Sequence, residues 1–202
     1  MLRVACCGDS ITLGTGIEEP SRSYPSVLQR LLGEKYEVRN FGRKGATAVQ
    51  KGWAPYRNMK EYTAAIEYQP NVVILALGTN DSAEPNWQYR DSFVPEMQRI
   101  IDAFASLPSR PKIYLCLPPR IFNKKGYSDA AVLENIVPRI RQAADGKAVT
   151  LLDLHPAITD PEMYVDGLHP NAEGAAKLAE YVAKRVFNVA ATTEPSPRGV
   201  NW

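Results

Sequence analysis

Between Pro70 and Gly78 the chain runs Val72-Val73-Ile74-Leu75-Ala76-Leu77, six apolar residues without a polar interruption. A strand with one wet face alternates apolar and polar side chains. An unbroken run is buried on both faces, as in a parallel sheet covered by helices on either side. The rest of the chain keeps to that plan. Leu2–Cys7, Tyr36–Asn40, Lys112–Leu117 and Ala148–Leu152 read as four further strands. Between them lie helical patterns. Tyr24–Leu32 carries Val27, Leu28, Leu31 and Leu32 on one face, with Ser23 as its N-cap. Lys60–Tyr68 is ended by Pro70. Phe93, Met97, Ile100, Ile101 and Phe104 form the core-facing stripe of a long helix that exits at Pro108 and Pro111. Asp129–Ala144 contains Pro138, which must start, kink or split it. Asn171–Phe187 sets Leu178, Ala179, Val182 and Val186 on one face. Strands alternating with helices predict an α/β fold, a three-layer α/β/α sandwich around a five-stranded parallel sheet.

A length of 202 residues suits one domain with a full core. We read residues 1–190 as that domain and 191–202 as a C-terminal tail, with Trp202 able to dock on a surface. A net charge of +2 and the lack of a dense Lys/Arg cluster give no nucleic-acid footprint, so no such partner is expected. Lys124-Lys125 and Arg43-Lys44 read as solvated loop charges. No apolar stretch approaches the ~18 residues of a membrane span, so no membrane partner is expected. No signal peptide precedes the first strand, which predicts a cytoplasmic protein or a mature or excised secreted domain. Cys6 and Cys7 are strand neighbours facing opposite ways, and Cys116 lies in another apolar run, so all three read as buried free thiols. Two histidines and no cysteine pair at ligand spacing leave no metal site, and no cofactor is called for.

The chemistry concentrates where strands end. Gly8-Asp9-Ser10-Ile11-Thr12 puts a serine hydroxyl at the C-terminal end of the first strand, where open α/β sheets place their active sites. A serine needs an adjacent base to take its proton. Of the two histidines, His169 follows Asp166 by three residues in a glycine-containing turn. That spacing allows the carboxylate to hold one ring nitrogen while the other faces Ser10. His155 also follows a strand, but it sits two residues after Asp153 on one strand end and reads as a structural or pocket-edge histidine. Asp9 and Asp81 lack a partner pattern for paired-carboxylate chemistry and read as holders of loop amides. Trp53, Tyr56, Trp87, Arg120 and Phe122 fall in loops at the same sheet edge, where aromatic faces and a guanidinium suit a sugar. Trp53, Trp87 and Arg120 are the preferred substrate-binding candidates.

Four segments occur in order: Gly8-Asp9-Ser10, Asn40-Phe41-Gly42-Arg43-Lys44-Gly45, Gly78-Thr79-Asn80-Asp81 and Asp166-Gly167-Leu168-His169-Pro170. Together they resemble the SGNH (GDSL-type) serine hydrolase family. Within it the chain is most similar to carbohydrate O-acetylesterases of the sialate and xylan acetylesterase kind. The resemblance implies a flavodoxin-like strand order 2-1-3-4-5. It implies Ser10, Asp166 and His169 as catalytic residues. It implies an oxyanion hole from the N–H groups of Ser10 and Gly45 and the amide of Asn80, with Gly42 as the alternative to Gly45. It also implies an acetyl-enzyme intermediate and an acetylated small molecule or polysaccharide as substrate. A lipid esterase or thioesterase of lysophospholipase or platelet-activating-factor acetylhydrolase type keeps the mechanism and changes the substrate. A carbohydrate-binding domain that has lost activity keeps only the fold.

Overall fold

The computed structural model describes residues 1–189, so the expected tail and Trp202 lie outside the described residues. Five parallel strands form the main sheet: β1 (Leu2–Gly8), β2 (Tyr36–Gly42), β3 (Val72–Ala76), β4 (Lys112–Leu117) and β5 (Val149–Asp153). Their order is β2-β1-β3-β4-β5, the 2-1-3-4-5 arrangement expected. The chain leaves β1 toward β2 and later returns to the other side of β1 as β3. Gly8 therefore lies between Gly42 and Ala76 in register, at the point where the winding reverses. Open α/β sheets bind ligands at that crevice.

Helices cover both faces: α1 (Ser10–Leu13), α2 (Tyr24–Leu32), α3 (Lys60–Glu67), α4 (Phe93–Ala105), α5 (Val137–Ala144) and α6 (Ala172–Phe187). Side chains alternate across a strand, so one run of sequence feeds two cores. Cys7, Val73, Leu75 and Leu115 face one core with Ala65 of α3, the whole α4 stripe and Ile140 of α5. Val4, Cys6, Ile74 and Cys116 face the other with Leu28 of α2 and Leu178, Ala179 and Val182 of α6. The three cysteines are free and buried, and burial pushes the Cys6 thiol up to about 12. Among the described residues no helix is long and apolar enough to cross a membrane.

One local expectation is corrected and one left open is decided. Ser23 occupies the N-cap position of α2 but makes no capping bond. Its hydroxyl donates to the Pro20 carbonyl at 2.8 Å instead, and Pro25 in the first turn has no N–H to be capped. Of the three outcomes open to Pro138, the structure shows it at the start of α5. A turn at Asp129–Ala131 widens into a π-helical stretch, Val132–Ile136, before α5 begins at Val137. Pro138 then sits in the first turn of α5, where a missing N–H is not needed.

Candidate active site

β1 runs into α1 with almost no loop, and the junction leaves no room for a side chain at Gly8. A Cβ at Gly8 would lie 2.6 Å from the Ala76 carbonyl oxygen and closer still to Thr12. Asp9 caps α1, its carboxylate accepting the Ile11 N–H at 2.9 Å. Ser10 is the first residue of α1, and its N–H therefore has no intrahelical acceptor. Gly42 of β2 lies under α1, where a Cβ would meet the backbone of Leu13.

His169 comes from the loop between β5 and α6. Asp166 organises that loop: its Oδ1 accepts the N–H groups of Leu168 (3.1 Å) and His169 (2.9 Å). Gly167 has φ +81°, and the Phe122 carbonyl occupies the space a Cβ would need. This turn folds the carboxylate back onto the imidazole. His169 Nδ1 lies 3.0 Å from Asp166 Oδ2, and Nε2 lies 3.0 Å from Ser10 Oγ. An ionised carboxylate only accepts, so Nδ1 carries the proton and Nε2 accepts from the Ser10 hydroxyl. Burial works to raise the Asp166 pKa, but Lys124 and the N–H and ring of His169 outweigh it and hold the carboxyl well below the usual range. Lys124 Nζ sits 2.5 Å from Asp166 Oδ2.

The loop after β2 donates its Arg43 N–H to the Gly8 carbonyl at 2.9 Å and meets the loop after β3. Asn80 is buried, and its Nδ2 donates to the Ala46 carbonyl at 3.0 Å, next to Gly45. Gly45 has φ +74° and open space around it, so its conformation rather than crowding calls for glycine. Its N–H is paired with no backbone carbonyl among the described residues. Gly42, the alternative, is explained by its packing under α1. Asp81 accepts the N–H groups of Ala48 (3.1 Å) and Val49 (3.0 Å) and so ties the two loops together. Burial pushes Asp9 up to about 7 and Asp81 up to about 6, even though backbone N–H groups pull both down. Asp81 holds loop amides, as read from the sequence, whereas Asp9 holds an N–H of α1.

The substrate candidates separate. Trp53 is 52% exposed, and its backbone N–H donates to Asn86 Oδ1, while Asn86 Nδ2 donates to the Asn80 backbone carbonyl at 2.7 Å. Trp87 packs against the core with the Arg139 guanidinium 4.8 Å from its ring centre, so its ring already has a partner. Arg120 lies on the loop after β4, and its Nε is buried without a hydrogen-bond partner among the described residues. Tyr56 is a core residue whose hydroxyl donates to the Phe41 carbonyl at 2.7 Å. Phe122 packs edge-on against Tyr164, with ring centres 5.2 Å apart. His155 Nε2 pairs with the Asp129 carboxylate at 3.0 Å, a structural contact.

Three residues at the site escaped sequence reasoning. Lys124, read as a solvated charge, pairs with Asp166. Tyr127 donates its hydroxyl to Asn80 Oδ1 at 2.9 Å. Asn86 joins Asn80 to Trp53. Lys124 and Tyr127 reach the site only through tertiary contacts, 42 and 47 positions away, whereas Asn86 lies close in sequence to its partner Asn80. Among the described residues no group of three or more His, Cys, Asp or Glu is placed to hold a metal ion.

The arrangement sets a serine hydroxyl against an oriented imidazole, with backbone and amide N–H groups on the neighbouring loops, the inventory that acyl transfer draws on. Comparisons with known proteins agree with that chemistry. The profile of the GDSL-like lipase/acylhydrolase family matches residues 6–177. An acetylxylan esterase of Xylanibacter ruminicola is 36% identical across 92% of this chain and 43% of its own length. A multidomain esterase of Ruminococcus flavefaciens is 23% identical across 92% of this chain and 28% of its own. The chain thus spans less than half the length of the curated relatives it matches. Among solved structures, a carbohydrate acetylesterase from Sinorhizobium meliloti superposes with TM-score 0.76 at 20% identity, covering 93% of this chain and 99% of that one. An aryl esterase from M. smegmatis superposes with TM-score 0.75 at 20% identity, covering 94% of this chain and all of that one. These two share the fold.

Proposed function

We propose that this chain, which belongs to the GDSL-like lipase/acylhydrolase family, is a serine esterase that removes O-acetyl groups from a carbohydrate. The observation that carries the catalytic half is the line Asp166–His169–Ser10, with both ring nitrogens of His169 3.0 Å from their partners. The substrate half rests on the similarity to the acetylxylan esterase.

In the reaction, His169 Nε2 takes the Ser10 proton as Oγ attacks the acetyl carbonyl. The carbonyl oxygen becomes an oxyanion facing the N–H groups of Ser10 and Gly45 and the free Nδ2–H of Asn80. Such donors stabilise the developing charge more than the ground state, each by about 3 kcal/mol. The imidazolium, held by Asp166, then protonates the sugar oxygen as the C–O bond breaks. Water repeats the sequence on the acetyl-enzyme, releasing acetate and restoring Ser10. Trp53, exposed and linked through Asn86 to Asn80, offers an aromatic face to the sugar.

The test is acetate release from acetylated xylan, O-acetylated sialic acid and acetylated monosaccharides, beside turnover of 4-nitrophenyl acetate and octanoate. Wild type and Ser10→Ala run in parallel. Serine-dependent release from a sugar with little octanoate turnover is the expected result. Faster octanoate turnover moves the substrate to lipids or thioesters. No serine-dependent release from any ester overturns the function.

A further inference from the structure

We infer that Tyr127 is a positioning residue for the amide of Asn80, fixing it so that its free N–H faces the oxyanion. This rests on the reading of Asn80 as an oxyanion donor. A carboxamide helps an oxyanion with its nitrogen end and repels it with its oxygen end, so its rotation about χ2 must be fixed. In this protein both ends of the Asn80 amide are held, by different loops. Nδ2 gives one hydrogen to the Ala46 carbonyl at 3.0 Å, which leaves the other for substrate. Oδ1 accepts from the Tyr127 hydroxyl at 2.9 Å. An amide oxygen has no proton to give, so the phenol must be the donor. Burial pushes Tyr127 up to about 12, which keeps that proton in place across the working range.

Tyr127 is itself braced. Its N–H donates to the Lys124 carbonyl at 3.0 Å, closing a turn whose other end holds Asp166 through Lys124 Nζ. Two residues on, Asp129 accepts the Ile121 N–H at 2.9 Å and pairs with His155, so the loop is closed at its base. The hydroxyl thus sits on a supported turn. A donor on Oδ1 also polarises the amide, which strengthens the opposite N–H as a donor. With phenylalanine at position 127 the amide keeps the Ala46 contact, loses its second anchor, and leaves a buried oxygen unpaired, so it spends less time aimed at the reacting carbonyl.

The experiment is a double-mutant cycle read by kcat and KM on 4-nitrophenyl acetate, with thermal unfolding as a control for folding. Removing the amide outright in Asn80→Ala is expected to cost on the order of 10²–10³ in kcat. Tyr127→Phe is expected to cost about tenfold in kcat with KM unchanged, because a misaimed donor loses part of what a missing one loses. In the Asn80→Ala background, Tyr127→Phe should change kcat by less than about twofold, since residues acting through one another are not additive. Losses that multiply overturn the inference and leave the role of Asn80 standing. Wild-type kcat in Tyr127→Phe overturns it equally. Full activity in Asn80→Ala overturns the role of Asn80 and this inference with it.

Discussion

Gly42→Ala tests how closely the sheet controls Ser10. Gly42 lies in β2 directly beneath α1, and a Cβ there would stand 2.3 Å from the Leu13 nitrogen and 2.7 Å from the Leu13 Cα. Ordinary contact begins near 3.4 Å, and both obstructing atoms are backbone, so α1 must move by about 1 Å. Overpacking of this kind costs roughly 1–3 kcal/mol. For a chain of this size that lowers Tm by roughly 2–12 °C. The larger effect is catalytic. Ser10 begins the displaced helix, and a misplacement of ~1 Å at a reacting group costs on the order of 10²-fold. Gly146→Ala is the control: φ is +70° but nothing lies within 4 Å, so it carries backbone strain of about 1–2 kcal/mol without a clash. Thermal unfolding and kcat on 4-nitrophenyl acetate should therefore separate the two variants. Both lose stability, but only Gly42→Ala loses turnover. Wild-type Tm and kcat in Gly42→Ala would refute the claim that this packing sets the position of Ser10.

Further expectations follow from the charges around the site. Asp9 and Asp81 hold protons that the unfolded chain releases, so their contribution to stability is fully present below 3.8 and is lost as pH rises through about 6 for Asp81 and about 7 for Asp9. Comparing Tm against pH for wild type and Asp81→Asn should show the variant with the flatter profile near pH 6, and parallel profiles would contradict the reading. Asp166 has the opposite sign: its pKa is depressed, so its contribution is present above 3.8 and is lost as pH falls below that. Lys124→Met leaves Tm nearly unchanged, because a partly exposed pair is worth only about 0–1 kcal/mol. A fall in Tm of more than about 4 °C in Lys124→Met would contradict that estimate. His155→Gln should keep kcat within roughly threefold of wild type while His169→Gln abolishes turnover, because His155 is tied to Asp129 rather than to Ser10. Equal losses in the two variants would contradict that division.

The scaffold was legible because its signals are local and periodic. The unbroken run at Val72 announced a strand buried on both faces, and the α4 stripe fell on its core face residue for residue. Asp166 and His169 were legible because three residues span one turn. Their convergence on Ser10, 159 positions away, had to come from the strand order, which the family resemblance supplied. Pocket residues were harder to read. Tyr56 and Trp87 have the composition of a sugar platform, but one hydroxyl bond to Phe41 and one guanidinium contact from Arg139 turn them inward. Lys124 and Tyr127 carry no local signature at all. Their partners lie 42 and 47 positions away, and only the folded loop after β4 brings them to the site.

The central claim is that an acetyl group passes through Ser10. The direct measurement is the intact mass of enzyme quenched by acid during turnover of 4-nitrophenyl acetate, followed by peptide mapping. The account predicts a transient gain of one acetyl group, located on Ser10 and absent in Ser10→Ala. Turnover with no acetylated enzyme on rapid quenching, or an acetyl group mapped to another residue and retained in Ser10→Ala, would contradict it.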